Sequence, residues 1–173
     1  MSIIERLLEV KQQLRTSTRK INAHARAMER RREQNVNKIK EEVENTAVAL
    51  IGKVGLQEIF EELRSHLSEQ NFQVEVKEET YLQAEDLYYG LYSCEHQWIF
   101  RWLKSGQPKF NAFLIYITKD PMSFNLRVSG GGTGETTTDF DLSTGVENID
   151  PERFKQAVAK AFVKPIQKTI RLN

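Results

Sequence analysis

The hydrophobic and polar positions divide the chain into one long helical segment followed by a series of shorter alternating segments. Residues 2–51 contain neither Gly nor Pro and consist mainly of residues with high helix propensity. Ser2 and Glu5 have the spacing of a capping box, which places the start of the helix close to residue 2. The pattern therefore predicts a single N-terminal helix over residues 1–51.

Four large apolar residues of this helix recur every seven residues and form what we call the apolar seam: Leu7, Leu14, Ile21 and Met28. Ile4 and Ala25 occupy two of the other core positions of the heptad, whereas Lys11, Thr18 and Arg32 occupy the rest. A heptad that is apolar at only some of its core positions predicts a weak coiled coil. We expect the seam to bind a second copy of the chain or another protein; the alternative is a solvated, partly frayed arm.

The length of the helix is the second reason to expect a partner. A helix of about 50 residues is roughly 75 Å long at 1.5 Å per residue. A domain of about 120 residues has a radius of gyration of only about 14 Å, so part of the helix is expected to project, to pair or to bend back. After Asn35 the apolar positions return at spacings of three and four, which predicts that this second half docks on the following domain.

The remainder of the chain has the pattern of an α+β domain over residues 56–173. Gly52 and Gly55 predict a bend or break, and the apolar spacing that follows predicts a second helix over Leu56–Glu69. Short turns separate about six predicted strands, so neighbouring strands are expected to be antiparallel. The predicted strands cover residues 72–77, 87–93, 98–103, 110–118, 124–128 and 138–142.

Several details of this domain can be predicted from the same pattern. Residues 110–118 are apolar on both faces and predict a central strand, whereas 72–77 and 138–142 predict outer strands. Polar residues predict a loop at 78–86 and a turn at 94–97. Asp150 and Pro151 have the sequence of a helix start, and Pro165 is expected to kink or end that last helix. The predicted fold is α+β, with an antiparallel sheet of five to six strands packed by one or two helices.

The charge distribution is uneven although the net charge is only +1. Residues 1–55 carry twelve Lys and Arg against seven Glu, and residues 56–173 carry thirteen against seventeen acidic residues. A basic segment suggests an anionic partner, either nucleic acid or an acidic protein surface. The predicted basic residues for such a partner are Arg15, Arg19, Lys20, Arg26, Arg30, Arg31 and Arg32. A solvated face is the alternative.

The single cysteine, Cys94, excludes an internal disulfide and fits a reducing cytoplasm. The sequence has no run of 18 apolar residues that would predict a membrane span, and its first ten residues lack the apolar core of a signal peptide. We therefore expect a cytoplasmic protein with no membrane partner. No cofactor is predicted.

Two motifs suggest ligand chemistry but lack part of the expected pattern. The loop at residues 129–134 is rich in glycine, yet neither a Lys-Ser/Thr pair nor a helix follows it, so a hairpin loop is favoured over a phosphate loop. Glu75 and Lys77 have the spacing found in some metal-dependent nucleases. Such a site needs an additional aspartate on a neighbouring strand, and Asp86 follows the pair instead of preceding it, so an exposed ion pair is favoured.

The remaining candidates also have structural alternatives. Cys94, Glu95 and His96 are adjacent, but a nucleophile and its base must converge in space, so a turn or buried neutral side chains are favoured. Asp139 and Asp141 share one strand face and suggest a cation site; the favoured alternative is charge that protects a sheet edge. The alternating aromatic residues 98, 100 and 102 suggest either base stacking or, preferably, a core face.

No constellation of residues predicts catalysis. The leading hypothesis is therefore a non-enzymatic interaction or assembly protein that self-associates, as a homo-oligomer, or docks a protein partner through its N-terminal helix. The alternative hypothesis is a nucleic-acid-binding protein that uses the basic residues of that helix without reading sequence.

Overall fold

A computed structural model of the protein describes residues 3–86, 91–106, 110–130 and 136–170. The chain comprises two units, Met1–Lys38 and Ile39–Asn173, and the division falls inside the first helix. The long N-terminal helix and the α+β class predicted from the sequence are both confirmed.

The first two helices are separated by a single glycine. Helix α1 covers Ile3–Val54 and helix α2 covers Leu56–Glu69. Gly55 has φ 63° and ψ 47°, a left-handed conformation that glycine adopts without the steric cost other residues incur. Gly52 lies inside α1, so the predicted interruption of the helix is located at Gly55 alone.

Five antiparallel strands form one sheet in which sequence order and spatial order are the same, β1-β2-β3-β4-β5. The strands are β1 Phe72–Asp86, β2 Leu91–Lys104, β3 Asn111–Lys119, β4 Phe124–Gly130 and β5 Thr136–Asp141. A 3-10 turn, Val146–Asn148, and helix α3, Pro151–Ile170, complete the domain. The central position of β3 and the outer positions of the first and last strands agree with the prediction.

Two predicted breaks in the strands are wrong. Residues 78–86, predicted as a loop, continue β1, and residues 94–97, predicted as a turn, lie inside β2. The two strands remain paired through this region, with Thr80 opposite His96 and Leu82 opposite Cys94. Pairing satisfies the backbone groups of these polar residues, so the ladder continues where the side chains alone suggest a turn. Of the strand predicted at 87–93, residues 87–90 lie outside the described residues.

Burial alternates along β3, although the strand is apolar on both faces in the sequence. Phe113, Ile115 and Ile117 are completely buried, but the intervening Leu114 and Tyr116 are only half-buried. The strand therefore has one core face and one partly open face, as is common in antiparallel sheets, because the described helices pack on the same side of the sheet.

The core lies between that sheet face and the three helices. Phe100 and Phe113 stack with ring centroids 5.1 Å apart, and Phe60 of α2 lies 5.5 Å from Phe100. Phe162 of α3 lies 5.0 Å from Trp102. The second half of α1 adds apolar residues at helical spacing to the same core: Val43, Ala47, Leu50 and Val54.

Helix α3 begins as predicted. The Asp150 carboxylate accepts a hydrogen bond from the backbone N–H of Glu152 at 3.0 Å, and Pro151 occupies the first helical position. The sequence predicted that Pro165 would kink or end this helix. The helix does not end there but continues to Ile170.

Close packing between α3 and β4 depends on Gly130. A methyl carbon added at Gly130 would lie 2.5 Å from Cα of Ala161, and backbone atoms cannot move aside as a flexible side chain can. We expect Gly130→Ala to lower the free energy of unfolding by about 1–3 kcal/mol, as overpacking does elsewhere. Chemical denaturation at equilibrium measures this change.

Gly52→Ala provides the matched control. Nothing lies within 4 Å of the added carbon, and the position is inside α1, so this substitution should stabilise by about 0.5–1 kcal/mol. Equal unfolding midpoints for Gly130→Ala and the unsubstituted protein would contradict the predicted contact.

Candidate interaction surfaces

The apolar seam of the N-terminal unit is exposed wherever its side chains are described. Leu14 is 63% exposed, Ile21 68% and Met28 55%, and Ile4 at the neighbouring core position is 69% exposed. The side chain of Leu7, the fourth predicted seam residue, lies outside the described residues. Large apolar side chains at heptad spacing are normally buried against another helix, so the exposed seam is the first candidate interaction surface.

The polar core position next to the seam is compatible with burial. The Thr18 hydroxyl donates a hydrogen bond of 2.9 Å to the carbonyl oxygen of Leu14, one helical turn earlier. A buried hydroxyl is costly only when it has no partner. Because the Thr18 hydroxyl already has one within its own helix, a second helix could cover this position without leaving the donor unsatisfied.

The predicted basic residues are all exposed. The seven-residue repeat places Arg19 and Arg26 at equivalent positions, and Lys20 and Arg30 next to them on the helix surface away from the seam. Arg15 and Arg31 flank the seam instead. Apart from Arg32, none of the seven predicted residues forms an ion pair within the part of the chain that the structure describes.

The sheet face turned away from the helices is the second surface, and sequence analysis did not predict it. One residue from each strand forms a row across this face: Glu79, Gln97, Tyr116, Arg127 and Asp139. Arg127 donates to the Asp139 carboxylate and, at 3.2 Å, to the Tyr116 hydroxyl. The hydrogen bond to Asp139 raises the pKa of Arg127, so this guanidinium remains charged.

The two aspartates on β5, Asp139 and Asp141, each have a partner close by. Asp139 is neutralised by Arg127, and Asp141 accepts a hydrogen bond of 2.8 Å from the backbone N–H of Ser143. The backbone hydrogen bond from Ser143 lowers the pKa of Asp141. Each carboxylate therefore has its own local partner, which supports the structural alternative over a shared cation site.

Glu95 lies one row further along the same face. Desolvation raises its pKa, while a hydrogen bond from Thr118 at 3.4 Å and the charge of Arg127 oppose that shift. The only signal for this network in the sequence is the alternation of polar residues along single strands. The pairing across strands, which brings Glu95, Thr118 and Arg127 together, depends on register and cannot be read from one strand.

His96 lies on the core face of β2 and borders a cavity of about 500 Å³. Its Nδ1 atom is 2.9 Å from the Thr80 hydroxyl, and its Nε2 atom is 3.2 Å from a Glu78 carboxylate oxygen but outside hydrogen-bonding geometry. Burial lowers the pKa of His96, and the negative charges of Glu78 and Glu44 only partly oppose this effect. The imidazole is therefore neutral at pH 7.

Cys94 is completely buried on the same strand face. Burial raises the pKa of its thiol, so the reactive thiolate is disfavoured. Cys94 and His96 thus have the properties of buried neutral side chains, the structural alternative that the sequence favoured.

A larger cavity of about 710 Å³ lies where β3 turns into β4. Its polar groups bind one another: Lys119 pairs with Glu42 at 2.9 Å, and the Asp120 carboxylate accepts hydrogen bonds from the backbone N–H and the hydroxyl of Ser123. The bond from the Ser123 hydroxyl lowers the pKa of Asp120. Charged side chains line the cavity, but Lys119 and Asp120 already form an ion pair or hydrogen bonds with neighbouring residues.

The other predicted motifs have structural explanations or fall outside the described residues. Glu75 and Lys77 form an ion pair of 3.9 Å, while the side chain of Asp86 lies outside the described residues, as does the glycine-rich loop from residue 131 to 135. Trp98, Phe100 and Trp102 are buried in the core. Among the described residues, no group of three or more His, Cys, Asp or Glu could hold a metal ion.

No protein-family model, curated protein or solved structure matches this chain. Of the helices that the structure describes, none contains a stretch long and apolar enough to span a bilayer.

The lowered pKa of His96 predicts a pH dependence of stability. Because the folded protein favours the neutral imidazole, the stabilisation is complete above the unfolded-state value of 6.5 and is lost as the pH falls below it. We expect the free energy of unfolding to decrease as the pH falls below 6.5, and His96→Phe to remove the part of this decrease that comes from His96.

Urea denaturation at several pH values measures this dependence. His66→Phe is the matched control, because His66 lies on the exposed face of α2. The prediction is wrong if His96→Phe and the unsubstituted protein lose stability in parallel as the pH falls.

Proposed function

We propose that this protein is a non-enzymatic assembly protein that self-associates through the apolar seam of α1. The observation that carries the proposal is the exposure of Leu14, Ile21 and Met28 at intervals of seven residues, together with Ile4 at a neighbouring core position. A single chain leaves each of these side chains more than half in water. A second copy presents the same seam and can cover them.

The energetics favour a weak and concentration-dependent association. In a two-fold pair, the four described side chains of each helix give eight that become buried. Since each is already partly covered, their burial contributes roughly 7–15 kcal/mol in total. Association costs about 4–15 kcal/mol in lost freedom of motion. Because the two terms are similar in size, the pair should form reversibly.

Lysine substitutions in the seam provide a direct test. We expect Leu14→Lys and Ile21→Lys each to reduce self-association, because pairing would then bury a charge against an apolar surface. Sedimentation velocity over a range of protein concentrations measures the association constant.

Two substitutions on the opposite side of the helix are matched controls. Thr16→Lys and Ala23→Lys each add a lysine two residues further along the chain, at exposed positions away from the seam. These variants should associate almost as well as the unsubstituted protein. A protein that is monomeric at every concentration would rule out self-association.

Nucleic-acid binding is the second candidate function. The observation that favours it is that Arg19, Lys20, Arg26 and Arg30 are exposed on the side of the helix away from the seam and make no ion pair with any described residue. Their charge would therefore be available to a phosphate backbone even if the seam is paired. These residues would contact phosphates and not bases, so the affinity should not depend on the nucleotide sequence.

The salt dependence of binding tests this second function. Each phosphate contact on duplex DNA contributes about −0.9 to the slope of log affinity against log salt concentration. Changing Arg19, Arg26 and Arg30 together to Glu should make that slope less steep by about three, because three phosphate contacts are lost.

The charge-matched control changes Lys53, Lys155 and Lys160 to Glu, all exposed residues of the second unit. This control should leave the slope unchanged. Affinity weaker than about 100 µM for both duplex and single-stranded DNA at low salt would argue against the nucleic-acid function.

A further inference from the structure

The distribution of charge along α1 indicates the direction in which two copies pair. Residues 2–14 carry two basic and two acidic residues, a balance of zero. Residues 15–32 carry seven basic residues and one acidic residue, a balance of +6. This part of the helix thus has a first segment, residues 2–14, with no net charge and a strongly basic second segment, residues 15–32, and both segments carry exposed core positions of the same heptad.

A parallel pair would place the two basic segments side by side. Arg15 and Arg31, which flank the seam, would then approach the basic segment of the second copy, while the basic residues on the outer side of the helix would add a weaker repulsion over longer distances. An antiparallel pair places the basic segment of each helix against the segment of the other that has no net charge. The repulsion then falls to the short region where the two basic segments overlap.

The polar core positions favour the same direction. In a parallel pair, equivalent positions meet, so Lys11 would face Lys11 of the second copy at the centre of the interface. In an antiparallel pair, each of these core positions, including Lys11, lies opposite a seam position of the second copy instead. The aliphatic part of the Lys11 side chain can then pack on an apolar residue while its ammonium group extends to water.

Two registers satisfy both conditions, but pairing Ile4 with Ile21 would leave Met28 uncovered, so the longer register is favoured. When Ile4 is placed opposite Met28 of the second copy, Lys11 lies opposite Ile21 and Leu14 lies opposite Thr18. The hydroxyl of Thr18 is already bonded to the carbonyl oxygen of Leu14 at 2.9 Å, so this central layer contains no unsatisfied donor. Arg32 falls beyond the paired region. A shift to the next register would bring Ile4 opposite Asn35 and would lengthen the overlap of the basic segments.

We infer that α1 pairs with α1 of a second copy in antiparallel orientation, with Ile4 of each chain opposite Met28 of the other. The inference rests on the proposed self-association and adds its partner, direction and register. The arrangement is two-fold symmetric, since each layer occurs twice and the interface closes on two chains.

Cysteine cross-linking distinguishes the two directions. The variants Ile4→Cys and Met28→Cys are prepared separately in the full chain, where the natural Cys94 is completely buried and not accessible to a second chain. Each variant is oxidised alone and in an equimolar mixture, and dimers are measured on a non-reducing gel. Disulfides form only when the two Cα atoms are about 4.4–6.8 Å apart.

The antiparallel register predicts cross-linked dimers in the mixture and none in either variant alone, with a peptide containing residues 4 and 28 identified by mass spectrometry. Ala23→Cys, at an exposed position away from the seam, is the control and should not cross-link. Sedimentation velocity on the reduced variants shows whether each still self-associates.

Three outcomes would overturn the inference. Cross-linking of either variant alone would show a parallel pair, and a sedimenting dimer without any cross-link in the mixture would show a different register. Both results leave the proposed self-association standing. A monomer at every concentration would overturn the proposed function as well.

Discussion

The fold depends on the burial of one face of the antiparallel sheet by helices. Successive side chains of a strand point to opposite faces, so covering one face separates each strand into core residues and residues that meet solvent. The stacked rings of Phe100 and Phe113 lie at the centre of the covered face, with Phe60 of α2 and Phe162 of α3 packed around them. Loss of this packing would leave the helices without a common surface.

The same constraint explains the polar network on the other face. Residues there alternate with core residues, so their positions are set by the burial of their neighbours. Gln97 and Arg127 are brought into one row with Tyr116 because three strands are held in register by the core. The network therefore follows from the fold, and the ion pair between Arg127 and Asp139 links the outer strand β5 to β4.

Helix α1 combines two different surfaces in one continuous helix. Val43, Ala47, Leu50 and Val54 are buried in the core of the second unit, whereas the described seam residues between 14 and 28 are exposed. Both segments have helical periodicity, but among the described residues only the second segment packs against other parts of the chain. This difference is the physical basis for the proposed self-association, and the separate basic side of the helix is the basis for the second candidate function.

The sequence alone determined the helices, the order of the elements and the α+β class, because these depend on local propensity and on periodicity within short segments. It also determined the capping of α3 by Asp150 and the seam itself. Only the tertiary structure decided that residues 78–86 and 94–97 belong to strands, because the partner strand satisfies their backbone groups. It likewise decided the partners of Glu95 and the neutral state of His96, since these depend on residues that are distant in the chain and on burial, which no single segment specifies.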